Sequence, residues 1–446
     1  MGSDARKIID DIDENRSVWT ARKPPYDAMP ALDGDVSCDV AIIGGGFAGV
    51  STAWHLSALM PDKRVVLLEA ATLANGASGR NGGLMLNWVN GVETADPEHA
   101  KLVYDATREG IDTVERIIRD NELPVRFRRD GTNEIFTDPA RAEQGAREVE
   151  RLNAAGIPLR FLQRAELADH LRLEGAFGAT HDPTGGQLDG VAFIRAQRPI
   201  LLARGVGIYE GTPVTRIEEG RAIALRTPRG TVTAAAVVLA TNAYTPRLGY
   251  FKSGIVPLHS HAIATEPLSE EAWRQIGWSR GAGFSDDLDR VAYGSLTTDG
   301  ELVFGGGSNA AYDYVYGSRA RLTRPADKGY AAVHARLLAY FPKAKDVRVA
   351  HRWTGTVAVT MSRVCTMGVM GEHRNVYFAV GFSGHGITLA NLAGRVLTDI
   401  YAGADERWRA QPFYQHKLLH IPPEPLRWLG YHAFTRITGK SPRRRA

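Results

Sequence analysis

The sequence is short of cross-linking and metal-binding chemistry. Its 446 residues include two cysteines, Cys38 and Cys365, with neither CxxC nor other metal-ligand spacing, which excludes a disulfide framework and a thiolate metal centre. Each reads as a small core residue. His259 and His261 share a face of a predicted strand at period two, but no third ligand accompanies them, so no metal site is expected. Charge of one sign is also scarce. The 54 Lys and Arg against 50 Asp and Glu leave +4, too little for the basic footprint of a nucleic-acid binder. The opening MGSDARKIIDDIDENR lacks the apolar core of a signal peptide, and a cytoplasmic location is expected. One uncharged run, Val40 to Met60, is long enough to span a bilayer. Its four closely set glycines and the charged stretches beside it point instead to a buried strand and helix.

What is present starts in that run. Val40, Ile42 and Ile43 predict a buried parallel strand that stops at Gly44-x-Gly46-x-x-Gly49. Val50, Ala53, Trp54, Leu56 and Leu59 then recur at near-helical spacing until Pro61. The next strand is Arg64 to Glu69. In such a unit Gly44 allows a tight turn, Gly46 lets backbone N–H groups approach a pyrophosphate, and Gly49 lets the helix lie against the sheet. The helix N-terminus faces the negative charge. Glu69 stands where a carboxylate accepts from ribose hydroxyls and repels a 2′-phosphate, so the site should take FAD or NAD rather than NADP.

The spacing predicts helices over 101–121, 139–155 and 326–340. Between Thr212 and Ala240 the runs VTRIE, AIALRT, TVTA and AVVLA predict a meander, ending in a strand, Val237 to Thr241, that rejoins the parallel sheet. HAIAT, VAYG and ELVFGG predict further strands between Val256 and Phe304. A second glycine-rich junction follows strand Asn375 to Val380: Gly381-Phe-Ser-Gly384-His385-Gly386, then a helix from about Ile387 to Tyr401. It lacks the GxGxxG order and an acidic strand end, so it points a second helix N-terminus at some electron-rich group. With the loop Ser78-Gly-Arg80-Asn81-Gly82-Gly83, this arrangement suits an extended FAD, the late helix end stabilising charge on the reduced ring.

These residues carry a likeness. DVAIIGGGFAG, LLEA, ASGRNGG, TPVTRIE, VVLATNAY and YFAVGFSGHGITLANLAGRVLTD resemble the FAD-dependent D-amino acid oxidase, glycine oxidase and sarcosine oxidase superfamily. SGRNGG, GFSGHG and IATEPL are most similar to its γ-glutamylputrescine oxidoreductase-like branch. The resemblance implies an α/β (α+β) fold, in which a Rossmann-like FAD-binding domain (38–90, 185–255 and 350–415) and a mixed-sheet substrate-binding domain (91–184 and 256–349) are discontinuous in sequence. Residues 1–37 read as an arm anchored by Trp19, and 416–446 as an amphipathic basic tail. The resemblance also implies cofactor contacts at Gly44, Gly46, Gly49, Glu69, Ala70, Ser78, Arg80 and Val214. Those to the flavin ring fall on Asn81, Gly82, Gly83, Gly384, Gly386, Ile387 and Thr388. Departures matter too. Val357 stands where relatives carry a carboxylate-gripping arginine, and no cysteine or histidine occupies the positions where some relatives attach flavin covalently, so FAD is expected to be non-covalent.

The implied activity is oxidation of a primary or secondary amine or an amino acid. A hydride passes from the α-carbon to flavin N5, and the imine hydrolyses to a carbonyl product. O2 or a quinone reoxidises the flavin. His385 is the one catalytic candidate, and a histidine bracing its loop is the competing reading. Trp88, Tyr312, Arg352 and Trp353 are the substrate-side candidates, each also readable as core, rim or surface. A 2-hydroxy-acid dehydrogenase and a flavin-binding protein without turnover stay open. The tail, with Leu426, Trp428, Leu429, Tyr431 and Phe434 among basic residues, reads either as an interfacial helix on the inner face of an anionic membrane or as a helix docked on its own domain.

Overall fold

The computed structural model describes residues 3–12, 15–92, 96–279, 281–323 and 326–437. The first apolar run forms strand β1 (Val36–Ile43), buried over its last four residues. It hands over to helix α1 (Phe47–Leu59), buried on nearly every side. That burial explains the missing charge, because a helix apolar all round has to be covered all round. Strand β2 (Val65–Leu68) returns parallel to β1, with Ile43 opposite Leu68. Helix α2 (Pro97–Asp120) opens on an Asp96 cap with proline at its first position. The sequence reading assigned it to the substrate domain, but a Cβ at Gly110 would stand 2.9 Å from the Thr388 carbonyl of the nucleotide unit.

The meander ends differently from expectation. TVTA and AVVLA belong to one continuous strand, β3 (Gly230–Leu239). One edge of β3 runs parallel to β1, from Val36 opposite Val232 to Ile43 opposite Leu239. Its other edge pairs first with Ile223–Thr227 and then, from Val237, with a late parallel strand. One strand therefore joins the meander to the parallel core, and no turn between the two runs is required.

The second sheet has nine strands. Its centre is β4 (Val256–Thr265), flanked by Leu302–Gly306 and Tyr312–Asp313 on one edge and by β5 (Val349–Val359) on the other. The parallel pairing of Gly283–Asp286 with Thr132–Phe136 makes the sheet mixed. The boundary expected at residue 350 falls inside β5. All of β5 pairs with β4, and the nucleotide sheet resumes only at Thr366–Met370. Strand pairing, which composition does not report, sets this division.

Strand β6 (Val376–Val380) pairs with β3 and leads into helix α3 (Gly386–Ala402). Helix α3 lies hard against α1: a Cβ on Gly394 would stand 2.2 Å from Ser51 Oγ, and that hydroxyl donates to the Asn391 carbonyl at 2.6 Å. The N-terminal arm is anchored as expected by Trp19, whose indole N–H donates to the Asn81 carbonyl at 2.8 Å. The arm also contains a helix, Ser3–Asp10, and a wholly buried Asp11 that pairs with Arg247 and Arg319.

Helix α4 (Leu426–Ile437) docks through one face. Arg427 donates to the Lys252 and Pro422 carbonyls and to Ser318 Oγ at 2.8–2.9 Å. Leu426, Leu429, Phe434 and Ile437 stay exposed. Residues 438–446, with Lys440 and Arg443 to Arg445, lie outside the described residues.

The α1/α3 contact leaves no room for a methyl group. Gly394→Ala should destabilise the protein by about 1–3 kcal/mol, the usual cost of overpacking. A lowered thermal midpoint together with weaker FAD retention is the expected result, and an unchanged midpoint would show that the helices can move apart freely.

Candidate active site

The first cradle is built by glycine. Gly44 has φ +110°, and a Cβ there would meet the Ala240 carbonyl at 2.7 Å. A Cβ at Gly49 would stand 1.8 Å from the Gly44 carbonyl, so this residue holds α1 on the turn rather than facing the cavity. Ser78 Oγ accepts from the Phe47 N–H at 3.0 Å and would lie 2.7 Å from a Cβ on Gly46. The start of α1, whose first N–H groups have no partner within the helix, thus opens on Gly46 and Ser78. Glu69 accepts from the Gly45 and Ala71 N–H groups at 2.7 and 2.9 Å. Desolvation nevertheless pushes its carboxyl above the usual 4.5.

The loop after β2 is fixed from several directions. Asn81 donates to the Ser78 carbonyl at 2.7 Å and accepts from Gly83 N–H at 2.8 Å. Trp353 donates to the Arg80 carbonyl at 3.0 Å, while the Arg80 guanidinium donates to the Asn15 carbonyl at 2.8 Å. Ser17 and Ser295 hydroxyls donate to the Gly79 and Gly82 carbonyls. At the second junction Gly384 has φ +98° with nothing within 4 Å of a Cβ position, and His385 stands at the N-cap position of α3 without a capping hydrogen bond from its side chain.

Both junctions open on one cavity of about 1030 Å³. Small-molecule pockets run to roughly 1,000 Å³, so this one accommodates an extended dinucleotide. Its lining includes Gly44, Gly46, Glu69, Ala70, Ser78, Arg80, Asn81, Gly82, Val214, Gly384, His385, Gly386 and Ile387. FAD fits these residues. Glycines leave the backbone bare at both helix ends, and Glu69 retains acceptor capacity for hydroxyl donors. Gly83 and Thr388 do not line the cavity. Gly83, at φ +79°, packs on the Trp19 ring, and Thr388 is buried with its carbonyl against Gly110.

Of the substrate-side candidates, Trp88 and Tyr312 line the cavity. Arg352 and Trp353 do not. They are neighbours on β5, so their side chains leave opposite faces; Arg352 is exposed and Trp353 fully buried. Val357, which the resemblance sets at the position of an arginine in some relatives, lines the cavity. Tyr293 went unnoticed in the sequence beyond its VAYG strand. Its ring would stand 2.6 Å from a Cβ on Gly82, and burial, eased by a hydrogen bond with Ser260, pushes its phenol up. Only the pairing of its strand in the second sheet brings it there, so no local signal marked it. Neither cysteine lines the cavity, and burial pushes each thiol up to about 12. Among the described residues no cluster of three His, Cys, Asp or Glu could hold a metal ion.

The position of Glu69 gives a pH dependence. If its ionised form accepts from ribose hydroxyls, FAD affinity should fall as pH drops through a titration set above 4.5 by burial. Fluorescence titration of FAD should show this loss for the native chain and a flat, weaker profile for Glu69→Gln. A native profile that is flat as well would remove Glu69 from the ribose site.

The chain is similar to known proteins along most of its length. A family model described as FAD dependent oxidoreductase, DAO, matches residues 39–400. Gamma-glutamylputrescine oxidoreductase of Escherichia coli K12 is 30% identical over 432 residues, covering 91% of this chain and 95% of the relative. Glycine oxidase of Geobacillus kaustophilus is 22% identical over 84% of this chain and 96% of the relative. The solved structure of glycine oxidase from that organism superposes with a TM-score of 0.73 at 21% identity, over 87% of this chain and all of the other. With two helix ends and the Glu69 carboxylate opening on one cavity, and a family model matching residues 39–400, the chain belongs to the DAO family of FAD-dependent oxidoreductases.

Proposed function

We propose that the protein oxidises a primary or secondary amine, or an amino acid, to an imine that water hydrolyses to a carbonyl product. The observation that carries this reading is the shared cavity. The nucleotide unit contributes Gly82 and Gly384 to it, and the second sheet contributes Ser260, Tyr293 and Val357. Bound FAD supplies the two-electron acceptor. The chain's own part is to orient the substrate in the cavity beside Tyr293, to exclude water, and to present α3 to developing negative charge. His385 lines the cavity, and its proposed role is substrate contact rather than obligatory proton abstraction, since a neutral amine needs no base. The relatives named for γ-glutamylputrescine and glycine support an amine or amino-acid substrate. With no thiol on the cavity wall, FAD is held non-covalently in this reading.

Anaerobic mixing of the FAD-loaded protein with a panel of amines, amino acids and 2-hydroxy acids tests it. Bleaching of the flavin by members of the first two groups is expected, with peroxide on air readmission if O2 is the acceptor and none if a quinone is. Bleaching by hydroxy acids alone, or by nothing, would overturn the proposal. Chromophore remaining on the precipitated chain after denaturation would overturn the non-covalent assignment.

We also propose that α4 rests on an anionic membrane surface, a placement that suits a quinone acceptor. Among the described residues no helix is long and apolar enough to cross a membrane, so the contact would be interfacial. Leu426, Leu429, Ala433 and Ile437 follow one another at three- and four-residue steps, and all are exposed. From Pro425 to Ala446 the chain has no Asp or Glu. Apolar surface beside uncompensated positive charge complements an anionic bilayer. The full chain should float with phosphatidylglycerol vesicles and much less with phosphatidylcholine alone, and Leu429→Ser with Ile437→Ser should abolish flotation. Equal behaviour of native and variant chains would refute the contact.

A further inference from the structure

The cavity extends along the second sheet beyond Tyr293. Tyr293 stands opposite Ser285, Ser285 opposite Glu134, and Glu134 opposite Thr180, so these residues form a row across four strands on one face. All four line the cavity, as does Asp182, two positions along from Thr180 and so on the same face. Three strand spacings separate Tyr293 from this last strand, about 14 Å between backbones. The helix Pro139–Ala154 packs on that face, where a Cβ at Gly145 would stand 2.3 Å from the Phe136 ring. Neither this helix nor strands Thr132–Phe136 and Gly178–Asp182 put a Lys, Arg or His on the cavity.

Asp182 is fixed there through one oxygen. Its Oδ1 accepts from the Tyr104 hydroxyl at 2.9 Å and from the Thr184 N–H and hydroxyl at 2.8 and 2.7 Å. The Asn87 amide N–H₂ donates to Thr184 Oγ1 at 2.8 Å, and the Thr107 hydroxyl donates to Asn87 Oδ1. Tyr104, Thr107 and Asn87 are 5% exposed or less. Burial, and after it the Asp182 charge, pushes the Tyr104 phenol well above its usual 10, which keeps it a donor. Among the described residues nothing bonds to Oδ2, and no Lys or Arg pairs with Asp182. Oδ2 is not closed off from solvent either. Elsewhere in the fold buried acids are matched by arginine: Arg141 reaches Asp287 at 2.7 Å, and Asp11 holds both Arg247 and Arg319. A carboxylate held by neutral donors on one oxygen, with the other facing a cavity, is a preorganised acceptor for a cation.

We propose that Asp182 is a cation subsite at the far end of the substrate cavity, so that the preferred substrate is a long amine carrying a second positive charge remote from the oxidised carbon. This rests on the amine-oxidation reading above and adds to it a length and a charge. Asp182 holds one nitrogen as its ammonium ion. The other nitrogen, bound beside Tyr293 as the free amine, belongs to the end that is oxidised. Glu134 lies between the two on the same face, which favours positive charge along the arm. A short diamine cannot reach both places.

Anaerobic equilibrium dialysis of the FAD-loaded protein against 1,8-diaminooctane, octylamine, 1,4-diaminobutane and butylamine reads binding. 1,8-Diaminooctane should bind about tenfold more tightly than octylamine, a factor between the worth of an exposed and of a buried ion pair. 1,4-Diaminobutane should bind no better than butylamine. Asp182→Asn keeps an acceptor oxygen for Tyr104 and Thr184, and it should bring 1,8-diaminooctane down to the level of octylamine with native FAD content and thermal midpoint. Tyr104→Phe loosens the carboxylate without removing it and should lose part of the preference. In turnover the contrast between the two eight-carbon amines should appear in KM. Equal binding of those two by the native protein would overturn the assignment, a result that needs no variant to fold. So would an undiminished preference in Asp182→Asn. Because dialysis needs no oxidation, a diamine preference without bleaching of the flavin would sink the oxidase reading and leave the subsite standing. Bleaching by monoamines with no diamine preference would do the reverse.

Discussion

The close approach of α1 and α3 is the constraint on which the site depends. Two helices whose axes are held apart by side chains would aim their N-termini at different points. Here Gly394 meets Ser51, and Gly49 meets the Gly44 carbonyl, at separations that exclude a Cβ. Both helices also follow parallel strands of one sheet, because β1 and β6 lie on opposite edges of β3. Backbone contact and sheet order together bring two positive helix ends to one cavity. Oriented peptide dipoles positioned in this way need no reorganisation when charge appears, which is the physical basis of their use in catalysis.

The early loop shows how the rest of the chain serves that geometry. A glycine-rich segment with several positive-φ or bare positions has high conformational entropy when unfolded, and it must be held for binding to be tight. Three separate parts of the chain hold it: the arm through Ser17 and Trp19, and two strands of the second sheet, β5 through Trp353 and Ala292–Leu296 through Ser295. The two sheets are thus joined across the cofactor loop by hydrogen bonds to its carbonyls. Substrate-side residues such as Tyr293 inherit their position over Gly82 from the same connection. Glu210 performs a related service behind Glu69, accepting from the Met29 N–H at 2.7 Å and from the Leu73 N–H at 2.5 Å.

What could be read from the sequence was local. The β1-α1-β2 unit and the Gly381–Gly386 junction depend on neighbours within about 30 residues, so spacing alone carried them. Helix limits at 97–120, 139–154, 327–340 and 386–402 likewise follow apolar periodicity and caps. The misplacements involve pairing between distant segments. Strand β5 looks like part of the nucleotide unit because it precedes that unit's last strands, yet its partner is β4, some ninety residues earlier. Arg352 and Trp353 were read together as pocket residues, although alternation along a strand sends them to opposite faces. Tyr293 and Arg290 gained their places only through the register of Ala292–Leu296 against Leu302–Gly306.

Helix α4 brings these threads together. It is docked by a buried arginine and by Glu424, which accepts from the Gly317 N–H at 3.1 Å, so its position is set by polar contacts to the substrate unit. That inner face supplies Tyr431 and the Thr435 carbonyl to the Arg290 and Asn309 pair, while its outer face is apolar. One side of this helix thus backs Arg290, a residue of the cavity wall, and the other faces solvent. Any contact that orders the outer face also restricts the inner one, because Arg427, Tyr431 and Thr435 lie on the same short helix. The Arg290 region of the cavity wall and the exposed apolar face are in this way joined through three turns of helix. The connection needs no conformational change, only the stiffness that intrahelical hydrogen bonds provide.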